Sequence, residues 1–100
     1  MAGLNINPNL MSRFCKKWGV AKLSLFGSML DGRATETSDV DVLVDFRPGS
    51  RVTYFDMARM ERELQDVLGT ARRVDLRTVR ELSRHFRDDV ASRAKVLYAA

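Results

Sequence analysis

One hundred residues, 45% hydrophobic and 30% charged, make one small globular domain and exclude a disordered or collagen-like chain. A single cysteine, Cys15, excludes an internal disulfide and a multi-cysteine zinc site, and the single histidine, His85, adds little toward one. The net charge of +4 is unevenly spread: residues 1–38 carry +3, residues 39–71 carry −3 and residues 72–100 carry +4. A plain basic nucleic-acid binder has no need of that acidic middle.

In chain order, Asn7-Pro8 predicts a helix start, with Asn7 as the N-cap and Pro8 at the first helical position. Leu10, Phe14 and Trp18 then recur at a spacing of four, Met11 and Cys15 lie beside them, and Gly19 supplies the stop. These aromatics read as core rather than as a base-stacking platform, and Cys15 as a small packed residue. Lys22–Phe26 alternates as a strand, Leu23 and Leu25 on one face and Lys22, Ser24 and Phe26 on the other. Gly27 to Ser38 reads as a loop with a short helix near Ser28–Asp31.

Asp39–Phe46 is the clearest strand. Val40, Val42, Val44 and Phe46 share one face; Asp39, Asp41, Leu43 and Asp45 share the other. Arg47-Pro48-Gly49-Ser50 is a turn. Thr53–Leu68 reads as a helix whose apolar positions include Phe55, Met57, Ala58, Met60, Leu64 and Val67. Arg72–Arg77 is a short strand carrying Asp75. From Thr78 to Tyr98, Val79, Leu82, Phe86, Val90, Ala94 and Leu97 step by three or four, which predicts a closing helix. The expected fold is α/β (α+β): a small mixed sheet with helices packed on it, residues 1–100 forming one domain.

No apolar run approaches the roughly 20 residues of a spanning helix. Residues 1–10 lack the basic start and apolar core of a secretory signal, so a cytoplasmic protein without membrane contact is expected.

The chemistry concentrates in two short stretches. Asp39 and Asp41, two apart on a strand, lie about 6–7 Å apart on one face, where both can lean onto one hard cation such as Mg²⁺. An Asp-x-Asp string alone more often marks a solvated acidic strand; here the apolar Val40/Val42/Val44 face shows the strand to be half buried. Gly27 follows a strand directly, so a ligand can approach its backbone, and the Gly27 and Ser28 N–H groups with the Ser28 hydroxyl can hold phosphate oxygens. Strand, Gly-Ser, loop and Ser-Asp-x-Asp strand together are far more specific than either half.

This combination, Phe26-Gly27-Ser28, Gly32 and Ser38-Asp39-Val40-Asp41, resembles the signature of the DNA polymerase β-like nucleotidyltransferase superfamily. The short chain resembles its minimal nucleotidyltransferase (MNT) branch, which includes antitoxins paired with HEPN-domain toxins. The likeness continues through Asp45-Phe46, the Pro-Gly turn, Tyr54-Phe55-Asp56, Leu68-Gly69 and Val74-Asp75-Leu76. It implies a polymerase β palm-like fold and Mg²⁺-dependent transfer of AMP from ATP to a hydroxyl, a tyrosine's, of a cognate HEPN ribonuclease toxin.

The resemblance also implies residue roles. Asp39, Asp41 and Asp75 would be the catalytic carboxylates and the ligands of two Mg²⁺ ions, with Asp75 helping to deprotonate the acceptor. Gly27, Ser28 and Ser38 would bind the nucleotide. Two metals about 3.5–4 Å apart suit an in-line displacement of pyrophosphate. In the loop, Met29, Leu30 and Asp31 stand where members of the branch often carry arginines.

Two rivals stay open on sequence. One is an antitoxin that neutralises its toxin by binding, with a weak or idle site. The other is an RNA-binding protein using Arg72, Arg73, Arg77, Arg80, Arg84 and Arg87, a run that also reads as a solvated face or a docking surface for a partner. Direct nucleic-acid binding is the less expected, and an oligomer with the partner remains open. Asp45 reads as solvated rim and His85 as a surface histidine.

Overall fold

The computed structural model describes residues 4–27, 38–78 and 93–100. Helix α1 is Pro8–Trp18. Asn7 Oδ1 accepts from the backbone N–H groups of Asn9 (3.0 Å) and Leu10 (3.2 Å), satisfying amides that a helix start leaves without partners. Gly19 ends the helix in the left-handed conformation, φ 68°, as its place in the sequence predicts. Strand β1 (Val20–Phe26) follows at once, starting two residues earlier than the alternation indicates.

Strand β2 is Val40–Phe46, helix α2 is Tyr54–Val67, β3 is Val74–Thr78 and β4 is Lys95–Ala99. The strands form one sheet in the order β3-β2-β1-β4, with β2 and β3 parallel and the other pairs antiparallel. Parallel neighbours need a crossover, and α2 provides it between β2 and β3. The expected small mixed sheet with helices on it is therefore what forms.

The core lies on one side of the sheet. Leu23, Leu25, Val40, Val42, Val44, Val74 and Leu76 meet Met11, Phe14 and Cys15 of α1 and Met57, Met60, Leu64 and Val67 of α2. The period-two valines of β2 are thus the buried face. The helices are also clipped together at one end: Trp18 Nε1 donates to Glu63 Oε2 at 2.5 Å, and Lys17 Nζ pairs with the same carboxylate. Trp18 is partly buried against the core, in line with its expected role, whereas Leu10 is 38% exposed and lies outside it.

Cys15 is fully buried, with its Sγ 4.0 Å from Met11 Sδ, and burial pushes its thiol up to about 12. A thiol held neutral reacts poorly, since the thiolate is the nucleophile. Native protein at pH 8 is expected to be alkylated by iodoacetamide about 10³-fold more slowly than urea-unfolded protein, read as mass increments over time. Ready labelling of the native chain would show that α1 opens.

Arg47–Ser50 turns as expected: the Ser50 N–H donates to the Arg47 carbonyl at 3.1 Å, and Gly49 takes φ 86°. Thr53 is the N-cap of α2 rather than its first helical residue. Its hydroxyl accepts from Asp56 N at 3.2 Å, while Asp56 Oδ2 accepts from Thr53 N at 3.0 Å, a reciprocal capping box. Thr53→Ala is expected to lower stability by about 1 kcal/mol, seen as a lower urea midpoint at unchanged slope.

Two further sequence expectations are corrected. Phe55 is 86% exposed, because the buried stripe of α2 runs through Met57, Met60, Leu64 and Val67 and leaves Phe55 and Ala58 outside it. The predicted helix from Thr78 to Tyr98 is overturned at both of its described ends: Thr78 closes β3, and Lys95–Ala99 is strand β4, paired antiparallel with β1, Leu23 opposite Tyr98 and Ser24 opposite Val96. The free backbone edge of β1 recruits this segment, down to Ala100 N donating to Ala21 O at 2.8 Å. Residues 79–92, with His85, Arg80, Arg84 and Arg87, lie outside the described residues.

Candidate active site

The acidic residues gather on the side of the sheet away from the helices. Residues directly opposite across a ladder share a face. Asp41 stands opposite Asp75 across the β2–β3 pair and opposite Phe26 across the β1–β2 pair. The parallel register therefore brings together two carboxylates that are 34 residues apart in sequence. Asp39 lies one residue before β2 and is exposed. The next residue fixes it, since Val40 N donates to Arg73 O at 2.8 Å and joins the two chain segments at their start.

Gly27 follows Phe26, the residue opposite Asp41. Its φ is +79°, and a Cβ built on it would sit 2.2 Å from Asp41 Oδ2 and 3.0 Å from Asp41 Cγ. The backbone at Gly27 therefore closes directly against the Asp41 carboxylate, and only glycine permits both the conformation and the approach. Ser38 is partly buried, and its carbonyl accepts from Arg72 Nη1 at 3.0 Å, which anchors the return of the loop into β2. Ser28, with Met29, Leu30, Asp31 and Gly32, lies outside the described residues. Asp45 is exposed at the far end of β2, as a rim position.

Asp41 carries the electrostatic signature of the cluster. Burial first, then the charges of Asp75 and Asp39, push its carboxyl above the usual aspartate value, and only Arg77 pulls the other way. Asp41 is thus held where ionising it beside the charges of Asp75 and Asp39 is unfavourable. Among the described residues, no three such side chains are gathered tightly enough to grip one ion. Asp75 instead faces Arg77, with Nε 3.3 Å from Oδ1 and Nη2 3.4 Å from Oδ2. The chemistry of the set fits a hard divalent cation: oxygen donors from adjacent strands, partly desolvated, with excess negative charge.

Three supporting residues escape a reading by periodicity. Glu61 of α2 accepts from Leu76 N at 2.7 Å and so fixes the strand that carries Asp75. Arg72 and Arg77 read in sequence as members of a basic tail run, yet in the fold they serve the site, one on Ser38 and one on Asp75.

Comparison with known proteins places this geometry. The family model for the nucleotidyltransferase domain matches residues 8–98. A Methanocaldococcus jannaschii protein, provisionally named a protein adenylyltransferase, is 36% identical over 78 residues, covering 78% of this chain and 80% of its own. Protein adenylyltransferase MntA of Thermococcus cleftensis is 41% identical over 61 residues, 61% of this chain and 58% of its own.

Among solved structures, one provisionally described as a minimal nucleotidyltransferase superposes with a TM-score of 0.67 at 36% identity, covering 86% of this chain and 83% of that one. A toxin–antitoxin crystal structure with AMP-PNP gives a TM-score of 0.69 at 22% identity, covering 95% and 75%, a likeness of fold. The mixed four-stranded sheet with two helices on one face, as seen among the described residues, is thus a nucleotidyltransferase fold. The chain belongs to the nucleotidyltransferase domain family, and the resemblance to minimal nucleotidyltransferases read from Gly27-Ser28 and Asp39-Val40-Asp41 is borne out.

Proposed function

We propose that this chain is a Mg²⁺-dependent adenylyltransferase that moves AMP from ATP to a hydroxyl, a tyrosine's, on a cognate HEPN ribonuclease toxin, and thereby acts as its antitoxin. The observation that carries the reading is the placement of Asp41 opposite Asp75, with Asp39 two residues before it and Gly27 closed against it. The relatives named protein adenylyltransferase support adenylate as the group moved. The toxin–antitoxin complexes of the same fold, one with AMP-PNP, support a toxin partner and a nucleoside triphosphate.

In this reading residues 1–100 form one minimal domain, working in the cytoplasm. Asp39 and Asp41 hold the cation that accompanies the triphosphate, and Asp75 shares a second. Bound metal supplies charge neutralisation for the triphosphate and for the departing pyrophosphate. Gly27 presents its backbone N–H to the phosphates beside the Asp41 carboxylate, with Ser28 next in the chain and Ser38 at the loop's return. The acceptor oxygen bonds to the α-phosphorus as the bond to the leaving pyrophosphate oxygen breaks, and Asp75 takes the hydroxyl proton.

The test is incubation with α-labelled ATP, Mg²⁺ and a HEPN protein encoded beside it. Label is expected on the partner and none with the Asp39→Ala/Asp41→Ala variant. A stable complex that never acquires label would overturn transfer and identify an antitoxin that acts by binding alone. RNA affinity that is indifferent to both aspartates and falls steeply with salt would point to the basic residues instead.

A further inference from the structure

Building on the metal-binding reading of Asp39, Asp41 and Asp75, we propose that Arg77 is the resident counter-cation of the carboxylate cluster: its guanidinium engages Asp75 until a divalent cation enters, so Arg77 sets the metal concentration at which the site loads. Alternation along β3 puts Asp75 and Arg77 on one face, and the parallel register puts Arg77 opposite Leu43, one step along from the Asp41–Asp75 pair. The fork spans both oxygens of Asp75, Nε to Oδ1 at 3.3 Å and Nη2 to Oδ2 at 3.4 Å. Its charge reaches Asp41 as well, where it opposes the push from Asp75 and Asp39.

The contact is built to yield. Charge-assisted N–H···O bonds usually close to about 2.7–2.9 Å, and this pair is longer. The Arg77 side chain is 51% exposed and that of Asp75 30%, so water and salt screen the pair. The oxygens that Arg77 covers are those a metal would need. A cation approaching Asp41 and Asp75 must also come close to a fixed positive charge. Both effects make Arg77 and the metal competitors for one carboxylate, and Arg77 is a positioning residue rather than a catalytic one.

The experiment is a Mn²⁺ titration of the full chain, free Mn²⁺ followed by electron paramagnetic resonance, for the wild type, Arg77→Ala, Arg77→Lys and Asp39→Asn/Asp41→Asn. Arg77→Ala is expected to bind Mn²⁺ about three- to tenfold more tightly, since pair and repulsion both vanish. Its melting temperature should rise more on adding Mn²⁺ than the wild type's does. Arg77→Lys, which keeps the charge and loses the fork, is expected to fall between the two. Unchanged or weaker binding by Arg77→Ala, while the double aspartate variant loses Mn²⁺, would overturn the role of Arg77 and leave the metal site standing. Equal binding by wild type and double variant would overturn both, because the carboxylates would not be the site.

Discussion

Asp41→Asn is expected to lower adenylyl transfer by about 10³-fold or more and, at the same time, to raise the melting temperature of the metal-free protein at pH 7. The two effects have one cause. Asp41 lies where burial and the charges of Asp75 and Asp39 all resist ionisation, and its carboxyl is held above the ordinary value of 3.8. A carboxyl whose folded value is raised favours folding while it is protonated, and that contribution is lost as pH rises through the folded value. At neutral pH the ionised group therefore works against the fold.

Asparagine keeps the size and removes the charge, so the fold gains what the proposed metal site loses. The difference in melting temperature should shrink as pH falls toward 3.8, where the wild-type side chain is also becoming neutral. Thermal denaturation of both proteins across pH, without divalent cations, checks the sign, and transfer assayed with Mg²⁺ checks the loss. A variant less stable than the wild type at pH 7 would mean that Asp41 is held by favourable bonds, and the crowding argument would fall.

Local chemistry made much of this legible before any coordinates. Asn7-Pro8 and Gly19 mark α1 because a helix end is satisfied by residues within three or four positions. The alternation of Val40 to Phe46 marks β2 and its acidic face because a half-buried strand has period two. The opposition of Asp41 and Asp75 is of another kind. Periodicity puts Asp75 on a strand, but the register that sets it against Asp41 is decided by the crossover of α2 and its packing, with Glu61 bonded to Leu76 N.

The end of the chain shows the limit most plainly. Lys95 to Tyr98 continues an apolar spacing of three or four in the sequence, and only the open edge of β1, 70 or more residues away, makes it a strand. Phe55 misled in the opposite sense. It is apolar, yet it lies two residues before Met57 and so faces away from the stripe of Met57, Met60, Leu64 and Val67.

Gly27→Ala is expected to remove activity at modest cost to stability, and Gly49→Ala is its matched control. Both glycines take a positive φ, +79° and +86°, so an added side chain costs each about 1–2 kcal/mol of backbone strain. They differ in what the new Cβ meets. At Gly49 nothing lies within 4 Å, whereas at Gly27 the Cβ falls 2.2 Å from Asp41 Oδ2, 3.0 Å from its Cγ and 3.1 Å from its Cβ. Retreat of the Oδ2 oxygen alone does not clear the last two contacts, so the Asp41 side chain must move away from the place set by the register with Asp75. A shift of about 1 Å in a reacting group costs on the order of 100-fold in rate. The expected result is similar denaturation midpoints for the two variants, near-wild-type transfer by Gly49→Ala, and a loss of about 100-fold or more, with weakened Mn²⁺ binding, in Gly27→Ala. Equal transfer by the two variants would show that the position of Asp41 does not govern the chemistry, and the catalytic assignment would have to leave the β1–β2 end of the sheet.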